Sequence, residues 1–266
     1  MTAAAILGLV AAGTVAAVSL KPETEAAFDQ YLRNNDARIE SEIRDGAGFL
    51  WIDRQSEPER RMRETGLRQG QLVIEDLKPG KLAGGLIHHW LGIAFVSGVR
   101  LEQAVALLLD YDRYQEIHRP YFLRSRLLER NGGDSRIHLR LYKKKTFASL
   151  VTDTEHAVHY QALAPDRAFS RSHSTKVVEI DDAGETNERP TAPGDYRGYL
   201  WRHVSYWRLI EKDGGTYLQL EALSLSRDLP TGTGWVLGGF LKGVHKEFLV
   251  DIVRNTRAAL AALAAK

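Results

Sequence analysis

The chain carries 266 residues, 44% hydrophobic and 26% charged, and its 36 basic and 34 acidic side chains leave a formal charge of +2. That length fits one large domain with room for an appendage, and the near balance of sign makes no demand for nucleic acid or an anionic membrane as partner. The absence of cysteine excludes disulfides, thiolate metal sites and cysteine nucleophiles.

Residues 2–20 are uncharged and rich in alanine and glycine, with small residues at 12–17 suited to a signal-peptidase site ahead of Lys21-Pro22. This predicts an export signal and a secreted or periplasmic protein, although no basic residue precedes the apolar run. The alternatives are an uncleaved anchor that associates the protein with a membrane, or a cytoplasmic helix. Residues 22–44 read as a helix: Pro22 suits its first turn and acids crowd its start. Its stripe of Phe28, Tyr31, Leu32 and Ile39 is thin, which predicts weak packing or an edge position. Residues 49–53 (FLWID) read as a short strand. A charged helix begins at Ser56, which would cap it with Glu59 three residues on. Residues 71–77 (QLVIEDL) read as a second strand, stopped by Lys78-Pro79-Gly80. Residues 21–85 therefore form an N-terminal extension, free to cover a sheet, shield an edge strand or tether the domain.

The main domain is expected over 86–266. It opens with a strand to Gly98, then a helix in which Leu101, Val105, Leu108 and Leu109 recur at helical spacing. This helix should bend near Tyr111–Tyr114 and end before Pro120. Extended segments follow at 122–130, 136–144, 146–162, 168–180, 199–211 and 216–226. The turns NGGD, APD and KDGG separate hairpin strands. A polar loop, 181–195, interrupts them. Lys143–Lys145 reads as a solvated strand end. After TGTG at 231–234 the chain runs as one long amphipathic helix with a stripe of Leu237, Leu241, Val244, Phe248 and Ile252. Hairpin-linked strands followed by a long helix give an α+β fold, a curved antiparallel meander laid against its terminal helix.

That order resembles the START-like superfamily, also called SRPBCC or helix-grip, with its polyketide cyclase/dehydrase and lipid-transport families. HHWLGIAFVSGVRLEQAVALLLDYDRYQEIHRP carries the resemblance at the start. YLQLEALSLSRDLP and the helix after GTGW carry it at the end, with Asp228-Leu229-Pro230 matching the proline turn before the last helix. The resemblance covers about 86–262. It implies a deep cavity between helix and sheet that holds an apolar or amphipathic ligand. Members include lipid carriers, hormone receptors, aromatases and ring hydroxylase subunits. No single catalytic motif runs through them, so no catalytic residue is carried over.

The residues themselves narrow the chemistry. His88 and His89 are adjacent on a strand and face oppositely, as do His156 and His159. No metal-ligand spacing appears, and no metal or cofactor is expected. The glycines at 232, 234 and 238 resemble a dinucleotide turn, but the third is one place late and no parallel strand follows. No GxSxG elbow is present, and Ser172 and His173 face oppositely. What remains is an amphipathic hollow. On 136–144 the face Ile137, Leu139, Leu141 should be interior. On 199–211 the face Tyr199, Trp201, His203, Ser205, Trp207, Leu209 is richer in aromatics and free of arginine. On 86–96 the set with Trp90 competes with the set containing His89. Arg171, His173, His203, Trp207 and Glu221 would converge in the hollow. The candidate ligand-binding residues are thus Trp90, Leu139, Leu141, His173, Trp201, His203, Trp207, Glu221, Leu241, Val244 and Phe248.

A non-catalytic carrier of a lipid or other hydrophobic small molecule is the first functional expectation. The second is a cyclase or aromatase in which a cavity His or Glu moves protons. The third is an interaction module with a filled core.

Overall fold

The computed structural model describes residues 19–46, 48–79, 82–145, 148–192, 195–228 and 234–265, and the side chains of these except 144–145, 148–149 and 234–242. Most of the apolar N-terminal segment, the Leu229-Pro230 pair and residues 231–233 of the glycine turn lie outside them. No helix among the described residues is long and apolar enough to cross a membrane.

The chain begins with α1 (Pro22–Asp45), which has Pro22 and two glutamates in its first turn, Arg44 in its last, and Gly46 closing it at φ 67°. The expected strand at FLWID is instead a 3-10 turn, Trp51–Arg54. The reason is local: the Asp53 carboxylate accepts the Leu50 N–H at 2.7 Å and folds the backbone back. The bend sends Phe49, Leu50 and Ile52 into one core instead of alternating them. The helix α2 (Glu57–Arg68) follows, with no capping bond from Ser56, contrary to expectation. The short β1 (Val73–Asp76) then pairs antiparallel with β2 (Gly85–Ser97).

From there the expected order holds. The helix breaks into α3 (Leu101–Leu109), a 3-10 turn at Tyr111–Arg113 and α4 (Tyr114–Ile117). Strands β3 (Phe122–Asn131), β4 (Asp134–Lys145), β5 (Ala148–Ala164) and β6 (Arg167–Asp181) form a meander. The polar loop carries a two-residue β7 (Arg189–Pro190), and β8 (Arg202–Lys212) and β9 (Gly215–Arg227) lead to α5 (Gly234–Ala264). The nine-stranded sheet runs β1-β2-β9-β8-β6-β5-β4-β3, with β7 paired to β6. All its pairings are antiparallel. This curved sheet and its long C-terminal helix are the helix-grip arrangement expected from the sequence.

Both faces of the sheet are covered, and alternation assigns each residue to one of them. On β2, Trp90, Gly92 and Ala94 face α5, while His89, Leu91 and Ile93 face the N-terminal layer. Gly92 is where the helix sits: a Cβ there would lie 2.9 Å from Leu249 Cδ2 and 3.0 Å from Val253 Cγ2. The helix thus rests almost on backbone at this end of the sheet.

The outer face holds the N-terminal extension. The stripe of α1 is thin but buried apart from half-buried Tyr31, with Phe28, Leu32 and Ile39 packed on Ile87, Val204, Leu223 and Leu225. Charge completes the docking, correcting the expectation of weak packing. Arg202 pairs with Glu25 at 2.7 Å, and Arg171 holds Asp36 through Nε at 3.0 Å and Nη2 at 3.1 Å. At the centre lies fully buried Arg208, which donates to the Phe49 carbonyl at 2.8 Å and pairs with Glu42 at 2.6 Å. Glu42 also takes Arg38 and Arg54. Arg38 bridges on to Glu221, whose Oε1 lies 2.8 Å from His89 Nε2. An ionised carboxylate only accepts, so that nitrogen bears a proton, and His89 Nδ1 lies 2.8 Å from the Tyr31 hydroxyl.

Glu221 therefore faces the N-terminal layer and not the hollow. Its bonds to His89 and the nearby Arg38 and Arg208 outweigh desolvation and hold its pKa at about 2, below its ordinary 4.5. A lowered carboxylate pKa contributes stability above the unfolded value, and that contribution is lost as pH falls through the folded one. Glu221→Gln should cost roughly 3 kcal/mol at pH 7, measured by urea unfolding, and the deficit should shrink as the pH is lowered from 4.5 toward 2. An equal deficit at both ends of that range would contradict this role.

Candidate functional site

The inner face and α5 enclose a cavity of about 160 Å³. Strand β4 supplies Ile137, Leu139 and Leu141 to its wall, and alternation brings them inward because Arg136, His138 and Arg140 take the outer face. Strand β8 supplies His203, Ser205, Trp207 and Leu209, and β9 supplies Leu220 and Ala222. The helix α5 contributes Val244, Phe248 and Ile252 to the wall, and α3 contributes Val105 and Leu108.

Four histidines stand in this apolar wall: His118, His156, His203 and His245. Thr154 donates its hydroxyl to the Leu139 carbonyl at 3.2 Å, so its oxygen accepts from His156 Nε2–H at 3.0 Å. His156 Nδ1 is then the acceptor that faces the Ser172 hydroxyl at 3.3 Å. His245 stacks on His88 with ring centroids 3.9 Å apart, and its Nδ1 lies 2.9 Å from Ser224 Oγ. The His156 and His203 rings meet edge to face at 5.7 Å, and His203 touches Phe248. Three ring nitrogens, His118 Nδ1, His203 Nδ1 and His245 Nε2, have no hydrogen-bond partner among the described residues. A buried polar atom left so costs on the order of 1–3 kcal/mol.

Burial disfavours the charged ring in every case. It lowers His118 and His203 to about 4 and, helped by neighbouring histidines, His156 to about 3. His245 is pushed well down, first by burial and then by His88 and His203. Among the described residues the wall is uncharged at neutral pH apart from Lys143, which sits where α5 meets β4. Its Nζ lies 2.7 Å from Glu247, 3.1 Å from the Tyr121 hydroxyl and 4.5 Å from the centroid of that ring. Tyr121 in turn donates to Asp251 of α5. Lys143 is thus a closing contact between strand and helix, not the solvated strand end expected.

Of the residues predicted to bind ligand, Leu139, Leu141, His203, Trp207, Val244 and Phe248 meet at the cavity. The side chain of Leu241 lies outside the described residues. Trp90 is on the inner face but packs under α5 beyond the cavity, with Lys246 Nζ 5.4 Å from its ring centroid. Trp201 precedes β8 in a bend, where alternation does not apply, and packs with the α1 core. His173 faces outward beside Arg171, its Nδ1 3.2 Å from the guanidinium. The pairing of Glu155 with Lys176 and of His156 with Ser174 makes Thr175 a bulge, so the face counted as one run from Phe169 to Glu179 changes sides there. His118, His156 and His245 were missed. The last two had a signal: His156 alternates with Thr152 and Thr154, and His245 lies three residues before Phe248 on the inward side of α5.

No family model matches the sequence, and no curated protein matches it. Solved structures do. A STAR-related lipid transfer protein fragment from Xanthomonas axonopodis is 14% identical with a TM-score of 0.45, over 68% of this chain and 96% of that one. The di-domain aromatase/cyclase StfQ of the steffimycin pathway is 15% identical with a TM-score of 0.45, over 68% of this chain and 53% of that one. The lipid transfer and protein localization domain of human StarD13 is 9% identical with a TM-score of 0.43, over 77% and 98%. Likenesses this distant decide neither ligand nor reaction, which must come from the cavity.

The lowered imidazoles have a measurable consequence. A histidine held neutral contributes stability above its unfolded pKa of 6.5, and loses it as pH falls through about 4. The urea midpoint should therefore drop between pH 7 and pH 4.5, and the NMR signals of His118, His156 and His203 should keep neutral-ring shifts down to pH 5. Titration of these three rings near 6.5 would contradict their burial.

Proposed function

We propose that this protein binds a compact hydrophobic molecule in the cavity between α5 and the sheet, without transforming it. The observation that carries this reading is the hollow itself: an apolar space of about 160 Å³ walled by aliphatic and aromatic side chains where a packed core would otherwise stand. Dry apolar cavities of about that size, roughly 150 Å³, take up benzene-sized molecules, whereas drug-sized ligands fill about 300–1,000 Å³. A compact ring system fits with α5 in place.

The magnitudes weigh against proton-transfer chemistry. A general base works best with a pKa near the operating pH. Rings at about 3 and about 4 bind protons too weakly for that at neutrality, and Glu221 lies on the other side of the sheet. A filled interaction module is equally disfavoured, because its core would leave no such space.

Ala222→Phe tests the reading, since Ala222 lies on the cavity wall opposite Ser205. The wild-type chain should bind naphthalene by calorimetric titration, and the variant should bind it at least tenfold more weakly while keeping its thermal midpoint. Unchanged affinity in a folded Ala222→Phe protein would place the probe elsewhere and overturn the reading.

A further inference from the structure

The cavity is not uniformly greasy. Its aliphatic floor on β4 faces a polar corner where β8 and α5 meet, built from His203 and His245. Both rings are held in place. His203 stands between His156 and Phe248, while His245 is stacked on His88 and tied to Ser224. Each still has a ring nitrogen, His203 Nδ1 and His245 Nε2, without a partner among the described residues. Both residues line the cavity, and the two nitrogens themselves are buried. A neutral imidazole nitrogen either accepts or donates according to tautomer, so the corner accommodates a hydroxyl or a carbonyl oxygen.

The rest of the wall speaks to charge. Among the described residues, no carboxylate and no arginine line the cavity, and the one cation, Lys143, is already paired with Glu247. An anionic ligand would enter apolar surroundings with no free cation among the described residues to meet it, and burial of an unpaired charge is strongly unfavourable. The depressed basicity of the rings agrees, because they do not offer a positive charge at neutral pH.

We propose that the cavity selects an uncharged molecule bearing a hydroxyl or carbonyl group, which hydrogen-bonds the unpartnered ring nitrogens of His203 and His245. This rests on the cavity-binding reading above and adds the chemical class of the ligand. It separates neutral oxygenated ring compounds from plain hydrocarbons, which leave the corner unsatisfied, and from carboxylate amphiphiles, which bring a charge with no counterpart.

Three probes of one shape decide it: naphthalene, 2-naphthol and 2-naphthoate, titrated into the full chain at pH 7. We expect 2-naphthol to bind about tenfold more tightly than naphthalene, the scale of one neutral hydrogen bond, and 2-naphthoate to bind at least tenfold more weakly than 2-naphthol. The double variant His203→Phe, His245→Phe should bind naphthalene and 2-naphthol alike, and the wild-type ranking decides the matter even if that variant fails to fold. Equal wild-type affinities for naphthalene and 2-naphthol would overturn the inference alone, as would tightest binding of 2-naphthoate. Full retention of the 2-naphthol preference in a folded double variant would also overturn it. Binding of none of the three would instead overturn the cavity-binding reading on which it stands.

Discussion

The seat of α5 on Gly92 is the contact on which the rest of the structure depends. A helix can approach a strand that closely only where the strand has no side chain, and a Cβ at Gly92 would meet Leu249 and Val253 at 2.9 and 3.0 Å. With one side of the helix pressed onto β2, its other side faces the middle of a sheet that curves away from it. The side chains that span the gap, Phe248 and Ile252 from the helix and Leu139 and Trp207 from the sheet, do not fill it. The hollow follows from where the helix is allowed to touch.

A second layer on the other side stiffens that arrangement. The α1 helix and the turn after it cover β2, β9 and β8 with an apolar stripe and a chain of charges running from Arg208 through Glu42 and Arg38 to Glu221. Buried ion pairs add little net stability over apolar substitutes, but losing one partner is expensive. Here they join the extension to β8 and β9, through Glu42 to Arg208 and through Arg38 to Glu221. The same strands thus carry opposite chemistries on their two faces: a charged, paired network outside, and neutral histidines with spare ring nitrogens inside.

Much of this was legible in the sequence, and the limits were physical. The order of strands and terminal helix and the inward faces of β4 and β8 followed from unbroken periodicity, which is why Leu139, Leu141, His203 and Trp207 were found. The assignment failed at Glu221 because both faces of β9 are buried, Leu220 on one side and Glu221 on the other, so no contrast of polarity marks which is inside. It failed at His173 because a bulge at Thr175 changes the parity of β6 partway along. FLWID looked like a strand because its composition is strand-like, and only the Asp53 bond to the Leu50 N–H turns it back on itself. The histidine corner was hidden for another reason: His203 and His245 lie 42 residues apart, and their meeting depends on where α5 sits.

The most direct test is to see where a small neutral ligand lodges. A crystal grown with 4-bromophenol, with data collected at the bromine absorption edge, should show anomalous density between Leu139 of β4 and Phe248 of α5, with the phenol oxygen toward His203 and His245. Bromine found only on the outer surface or beneath α1, or absent from the hollow at millimolar phenol, would contradict the account.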